Sequence, residues 1–375
     1  MPMDAYQKLA RHLDSLPGGY PPTKSGVEQR ILRRLFNQDE ALLAVKVTLI
    51  PEQAKVIARR AAITPDEAGR RLDDMARKGL IFRYQHQGAA YYMAAQYVIG
   101  IWEYHVNDLD PELIADMNEY IPTLFDMKAW QAAPQLRTIP VGRSLNAEHQ
   151  VMDYERAEEI VKRQKKLLVA PCICRREHKL KGQGCDKPEE TCLVFGMGVD
   201  YYENNGLGRR IDVDQALAIL KKADKAGLVL QPSNSQKVIN ICCCCGDCCH
   251  VLKSMKRHPR PADLVASPFI VRLEADKCTG CGVCVKRCQM EALGMEGDKA
   301  VLAAHRCIGC GLCVGTCPGK ALALARKPPE RQPRVPKNVV EGALRLGRAR
   351  GKIKPHTLAL AALKSKLDRL LAGAR

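Results

Sequence analysis

The chain is 375 residues long, 46% hydrophobic and 27% charged, with a formal net charge of +18 and eighteen cysteines. That length supports two or three domains with their own cores, and the cysteine density falls below that of a small disulfide scaffold. Met1-Pro2-Met3-Asp4 lacks the basic-then-apolar order of a signal peptide. The most apolar stretch, 89–102, is broken by Gln96 and too short to span a bilayer, so the expectation is a soluble, cytoplasmic protein in a reducing compartment.

In chain order, residues 1–27 form an extension and 28–106 a winged-helix-like domain. Residues 28–36 put Ile31, Leu32 and Leu35 on one helical face, and 52–62 give a second helix after Pro51. Thr64-Pro65-Asp66-Glu67 starts a third: Thr as cap, Pro at the first helical position, acids in the first turn. It runs to Lys78 and stops at Gly79. Leu80 to Tyr84 and Ala90 to Met93 flank a polar turn at His86-Gln87-Gly88, which reads as a hairpin, the wing.

Residues 107–150 are a Pro-interrupted connecting segment, and 151–265 a central Cys-rich α/β domain. There, 154–165 reads as a helix and 167–170 as a short buried strand delivering Pro171-Cys172. Asp212-Val213-Asp214-Gln215 is a capping-box start to a helix ending at Gly227, followed by a strand at 228–230. Residues 266–326 hold the last eight cysteines. Residues 327–375 are a basic tail, with a Pro-rich linker and then a helix, 357–372, that sets Leu360, Leu363, Leu367 and Leu370 on one face. The fold class is α+β, multidomain.

Charge is concentrated in that tail, where residues 326–375 carry fourteen Lys/Arg against three Asp/Glu. The tail is a candidate contact for acidic proteins, anionic lipid or nucleic acid, or simply a solubilising extension. The third helix argues against DNA. Asp66, Glu67, Asp73 and Asp74 balance Arg70, Arg71, Arg77 and Lys78, and its N-terminal end is acidic. Phosphate attraction dominates DNA affinity, and the recognition helix enters the groove by its N-terminal residues. A protein-contact or structural role is the preferred reading.

The cysteines fall in tight groups between Cys172 and Cys317. Runs such as Cys242-Cys243-Cys244-Cys245 close loops poorly and hold metal well. Cys278, Cys281, Cys284 and Cys288 have the spacing C-x2-C-x2-C-x3-C, and Cys307, Cys310, Cys313 and Cys317 repeat it 29 residues later. Gly280/Gly309, Gly282/Gly311, Ala292/Ala321 and Leu293/Leu322 share the offset, which marks an internal duplication. Zinc knuckles use paired C-x2-C, not three cysteines in register plus a fourth.

This repeat resembles bacterial two-cluster ferredoxins, in which the first three cysteines of a motif hold one [4Fe-4S] cube and the fourth reaches the other. The resemblance implies a first cluster on Cys278, Cys281, Cys284 and Cys317, and a second on Cys307, Cys310, Cys313 and Cys288. Pro318 follows Cys317 as that family requires. Gln289 follows Cys288, a departure that alters packing near the second cluster without removing a ligand.

Ten cysteines lie upstream of the repeat, in Pro171-Cys172-Ile173-Cys174-Arg175-Arg176, at Cys185 and Cys192, and in Cys242-Cys243-Cys244-Cys245-Gly246-Asp247-Cys248-Cys249. Cys172, Cys174, Cys185 and Cys192 make a first ligand set, which two or more of Cys242, Cys244, Cys245, Cys248 and Cys249 complete or duplicate. Adjacent cysteines point in different directions, so Cys244-Cys245 fits two sites better than one iron corner. Arg175, Arg176 and Lys179 would offset cluster charge. One or two further iron–sulfur clusters, a zinc site and a redox dithiol are the open alternatives.

Residues 28–325 as a whole resemble a group of iron–sulfur proteins of anaerobic bacteria and archaea. These combine a winged-helix-like N-terminus, a Cys-Ile-Cys-Arg segment, a Cys-Cys-rich segment and a two-cluster ferredoxin. That group carries Asn at the position of Cys243, which sets Cys243 apart as a ligand. The resemblance implies iron–sulfur binding and no settled reaction.

The leading expectation is therefore an electron carrier, or the electron-transfer subunit of an oxidoreductase, that depends on a redox partner protein. No nucleotide fingerprint accompanies the cysteines, since Gly206-Leu207-Gly208 is a lone pair. The alternatives are a redox-sensing winged-helix regulator and an oxidoreductase with an additional cluster in the central domain.

Overall fold

The computed structural model describes residues 2–145 and 151–373. Helix and strand are mixed. Where the sequence expects six segments, the backbone gathers into two compact units: residues 1–126, 200–207 and 343–375, and residues 127–199 and 208–342.

The first unit is mainly helical. Three of its helices open on side chains that satisfy their free amides: Asp4 and Asn37 form capping boxes with Gln7 and Glu40, and Thr64 accepts from the Glu67 amide. The helices Val27–Leu35, Ala54–Ala61 and Pro65–Arg77 precede a hairpin of β1 (Phe82–His86) and β2 (Ala89–Met93). Glu52 forms an isolated bridge to Tyr92 of that hairpin. On and beside the helix Pro65–Arg77, Arg71 pairs with Glu67, Arg77 with Asp74, and Lys78 with Glu40.

The tail helix, Pro355–Gly373, packs on Ala54–Ala61. Arg60 bonds Glu52 at 2.5 Å and Asp368 at 2.6 Å, and the Ser365 hydroxyl donates to Glu52 at 2.6 Å. The buried face therefore carries Ser365 and Asp368, while Leu360, Leu363, Leu367 and Leu370 are exposed. A polar network decides the helix's rotation here, and the leucine periodicity alone points the other way. Among the described residues no helix is long and apolar enough to cross a membrane.

The second unit has two layers of interest. One is a five-stranded antiparallel sheet in the order β5-β3-β4-β7-β6, from β3 (Leu167–Pro171), β4 (Glu190–Phe195), β5 (Arg209–Ile211), β6 (Val229–Pro232) and β7 (Asn240–Cys244). The helix Val213–Lys225, opened by the Asp212/Gln215 capping box, packs against β3 and β4. The connecting segment runs beside β6, with Arg137 N–H on the Pro232 carbonyl and Ile139 N–H on that of Leu230. Its residues 146–150 lie outside the described residues.

The other layer is the duplicated module. β8 (Phe269–Leu273) pairs with β11 (Leu322–Arg326), and β9 (Leu293–Glu296) with β10 (Lys299–Leu302). The 29-residue offset relates β8 to β10, β9 to β11, and the turn Ala275–Lys277 to Ala304–Arg306. Each pairing joins a strand of one repeat copy to the return strand of a copy, so the duplication becomes a pseudo-twofold fold. Phe269, Val271, Leu293, Ala300, Leu322 and Leu324 form its core together with Cys284, Cys307 and Cys313. Arg326, at the end of β11, makes a bidentate pair with buried Glu155 at 2.8 and 3.2 Å.

Candidate metal centres

In the module, the two glycine-bearing loops present matched sulfur sites. Gly280 and Gly309 both have φ +71°, and a Cβ at either would run into a backbone carbonyl, that of Asp298 or Phe269. Only glycine lets the loop lie this close to the neighbouring strand. The amides that reach the sulfurs repeat as well. Ala292 N–H donates to Cys288 Sγ at 3.1 Å and Ala321 N–H to Cys317 Sγ at 3.3 Å. Ala300 N–H donates to Cys278 Sγ at 3.4 Å, and its counterpart Val271 reaches Cys307. Such N–H···S contacts tune cluster potential, and amides aimed at sulfur are what a thiolate-bound cluster requires of its pocket.

The two halves differ in burial. Cys278 is half-buried and Cys281 exposed, whereas their counterparts Cys307 and Cys310 are buried and half-buried; Cys284 and Cys313 are both buried. The amides of Ala300 and Gly280 hold Cys278 below the usual thiol range. Burial pushes Cys310 up to about 12 and Cys313 higher still, with Cys310, Cys307 and Cys288 adding to the second effect. Cys288 acts electrostatically on Cys307, Cys310 and Cys313. Cys284 of the first motif acts on Cys313 as well.

Gln289, the residue that departs from the ferredoxin pattern, has a structural account. Its Oε1 accepts from the Gly246 amide at 2.7 Å, inside the Cys245-Gly246-Asp247-Cys248 turn. A Cβ on Gly246 would collide with the Gln289 carbonyl oxygen. A proline at 289 would supply no side-chain acceptor, so Gln289 ties the module to the upstream cysteines. Gln289→Ala leaves a buried N–H unpaired, at a cost of about 1–3 kcal/mol. Urea unfolding of the anaerobic holoprotein should show that loss, and an unchanged midpoint would contradict the account.

The ten upstream cysteines separate into two sets and one outlier. β-Sheet register makes the first division. Cys192 on β4 is opposite Cys242 on β7, and Cys242 and Cys244 share a face because side chains alternate along a strand. Cys243 points to the other face, opposite Leu230 on β6, and burial pushes its thiol up to about 12. The first three cysteines of the run are therefore strand residues with Cys242 and Cys244 facing one way, and Cys245 lies just past the strand's end.

Six thiols form the larger set, linked pairwise in the order Cys172, Cys174, Cys249, Cys244, Cys242, Cys192. The helices Ile173–Leu180 and His250–Arg257 start at Cys172 and Cys249, which turns two helix N-termini toward the sulfurs. Cys174 holds Cys172 below the usual range, helped by the charge and amide of Arg175. Cys174 and Cys244 hold Cys249 well below it, and Cys192 and Cys244 do so for Cys242. Cys174 and Cys244, which donate to these sulfurs, are pushed well up. Low and high thiols alternate from Cys172 to Cys242.

The smaller set is Cys185, Cys245 and Cys248. Their sulfurs lie within 4.8 Å of one another, and among the described residues no other three His, Cys, Asp or Glu side chains meet that closely. Cys185 thus belongs with Cys245 and Cys248, whereas the sequence grouped it with Cys172, Cys174 and Cys192. Lys187 pairs with Asp247 and so fastens the Cys185 loop to the cysteine turn.

Arg175 stands between the sets. Its guanidinium donates to the Cys243 carbonyl at 3.0 Å, to Thr191 Oγ1 and toward Cys245 Sγ at 3.9 Å. Burial opposes its charge, but Cys172, Cys245 and Cys244 hold it charged. Its Nε is buried without a hydrogen-bond partner among the described residues. Arg176 instead pairs with Glu189 at 2.7 Å, and Lys179 is exposed.

Behind the nest lies a polar group that sequence reasoning missed. Fully buried Glu177 meets His250 Nε2 at 2.5 Å. Burial lowers the His178 pKa, so its ring is neutral, with Nδ1–H on the Cys174 carbonyl at 2.9 Å and Nε2 accepting from Lys253 at 3.0 Å. These contacts cross-brace the two helices. The only signal in sequence is placement: Glu177 and His178 sit one helical turn beyond Cys174, and His250 follows Cys249.

Residues 270–318 match the family model of a 4Fe-4S dicluster domain. No curated protein matches the chain, and no solved structure does. The match supports an iron–sulfur, ferredoxin-like domain and the binding of iron–sulfur clusters by the repeat.

Proposed function

We propose that the protein is an electron-transfer protein working with a partner oxidoreductase, with two [4Fe-4S] clusters in the module and a third iron–sulfur cluster in the six-thiol nest. The observation that carries this reading is the duplicated eight-cysteine repeat, with its matched amide-to-sulfur contacts at Cys288 and Cys317, inside a region that matches a dicluster family. Cys278, Cys281, Cys284 and Cys317 would hold the first cluster, and Cys307, Cys310, Cys313 and Cys288 the second. The clusters would supply one-electron chemistry at low potential.

The protein's own residues set access and charge. Cys281 is exposed, so a partner can approach the first site directly, while burial of Cys307 and Cys313 keeps water from the second. Gln289 connects the Cys288 backbone to the turn that carries Cys245 and Cys248. Arg175 places a permanent positive charge beside the central thiols. In the winged-helix-like unit, the helix Pro65–Arg77 pairs Arg71 with Glu67 and Arg77 with Asp74 and carries acids in its first turn, which supports protein contact over DNA.

The test is iron and sulfide per chain after anaerobic purification, with EPR on the dithionite-reduced protein. About twelve irons and reversible low-potential reduction are expected. A chain with about four irons, or clusters that do not reduce, would sink the reading.

A further inference from the structure

We propose that Cys185, Cys245 and Cys248 bind a single zinc ion, separate from the iron–sulfur centres, with the fourth tetrahedral position taken by water. The proposal does not rest on the electron-transfer reading, because it concerns a different set of sulfurs.

Sulfur spacing carries it. Cys185 Sγ lies 3.9 Å from Cys245 Sγ and 3.7 Å from Cys248 Sγ. Four ligands on a tetrahedron with zinc–sulfur bonds of about 2.3 Å stand about 3.8 Å apart. Cubane ligand sulfurs stand much farther apart, at about 6–7 Å, and a disulfide would need about 2.05 Å. The module serves as an internal comparison. Its eight cysteines match a cluster-binding family, yet among the described residues no three of them meet within the 4.8 Å that joins this trio. The six-thiol nest contains no such trio either.

The surroundings suit a divalent ion on three thiolates, which together carry one net negative charge. Cys245 and Cys248 are buried, and Cys185 is half-buried at the end where a water can enter. Arg175 points toward Cys245 at 3.9 Å. Lys187, two residues from Cys185, pairs with Asp247, the residue before Cys248. Zinc here would clasp the loop after helix Ile173–Leu180 to the turn before helix His250–Arg257. Those are the two helices that deliver Cys174 and Cys249 to the nest.

Metal analysis and zinc-edge X-ray absorption on the full-length, anaerobically purified holoprotein test this. About one zinc per chain is expected, with three sulfurs at about 2.3 Å and one nitrogen or oxygen at about 2.0 Å. Cys185→Ser and Cys248→Ser should each lose that zinc and keep their iron and sulfide. Less than about one fifth of a zinc per chain from zinc-replete cells overturns the proposal. So do zinc retained in both variants, and iron lost with zinc unaffected. If a variant loses both metals through misfolding, the wild-type absorption spectrum decides. Three sulfurs with one light atom upholds the site, and four sulfurs or no zinc signal overturns it.

Discussion

Replacing Cys317 by Ala removes the cluster bound by Cys278, Cys281 and Cys284, although Cys317 lies in the other motif. Iron should fall by about four per chain. The EPR signals that remain should be those also left by Cys281→Ala, and should differ from those left by Cys310→Ala. The mirror substitution, Cys288→Ala, should match Cys310→Ala. The basis is the pseudo-twofold. Cys288 acts on Cys307, Cys310 and Cys313, and Cys317 is its equivalent by the 29-residue offset, down to the amide four residues on that reaches each sulfur. A Cys317 variant that keeps the signals of the Cys281 set and loses those of the Cys310 set would show that each motif serves its own cluster.

Much of the module was legible because the duplication is written in residue identity. The offset that relates the cysteines also relates Ala300 to Val271, whose amides reach Cys278 and Cys307, although those two residues differ in type. The central site was legible only as a list of candidate ligands. Its partition depends on strand register: Cys192 opposite Cys242 needs β4 and β7 to be neighbours, and nothing local in 190–195 or 240–244 announces two adjacent strands. Cys243 could be set apart by alternation once the run is known to be a strand. Cys185 could not be placed, because loop 181–189 takes its course from a long-range ion pair, Lys187 to Asp247. The tail helix misled for a related reason. Its leucine stripe is the stronger periodic signal, yet Ser365 and Asp368 are captured by the Glu52–Arg60 pair.

Cys249→Ser provides the sharpest test of the nest. Cys249 is the link between its two halves, touching Cys174, which comes from the helix after β3, and Cys244, which ends β7. Serine keeps the size and can still bond a neighbour, but it offers an alkoxide that is hard to form where a thiolate forms readily. The chain of six sulfurs is then cut into one pair, Cys172 and Cys174, and one triplet, Cys244, Cys242 and Cys192, that come from different elements. The expected result is a fall from about twelve irons to about eight per chain, with both module signals intact and zinc unchanged. Cys243→Val is the matched control, since Cys243 is buried like Cys249 and sits in β7 between Cys242 and Cys244, but faces away from the nest. It should leave iron, sulfide and zinc as they are. Iron that stays the same in Cys249→Ser, with about eight in the unaltered protein, would mean that the nest holds no cluster. Iron lost in Cys243→Val with module signals retained would mean that the strand's alternation does not sort its ligands as the register implies.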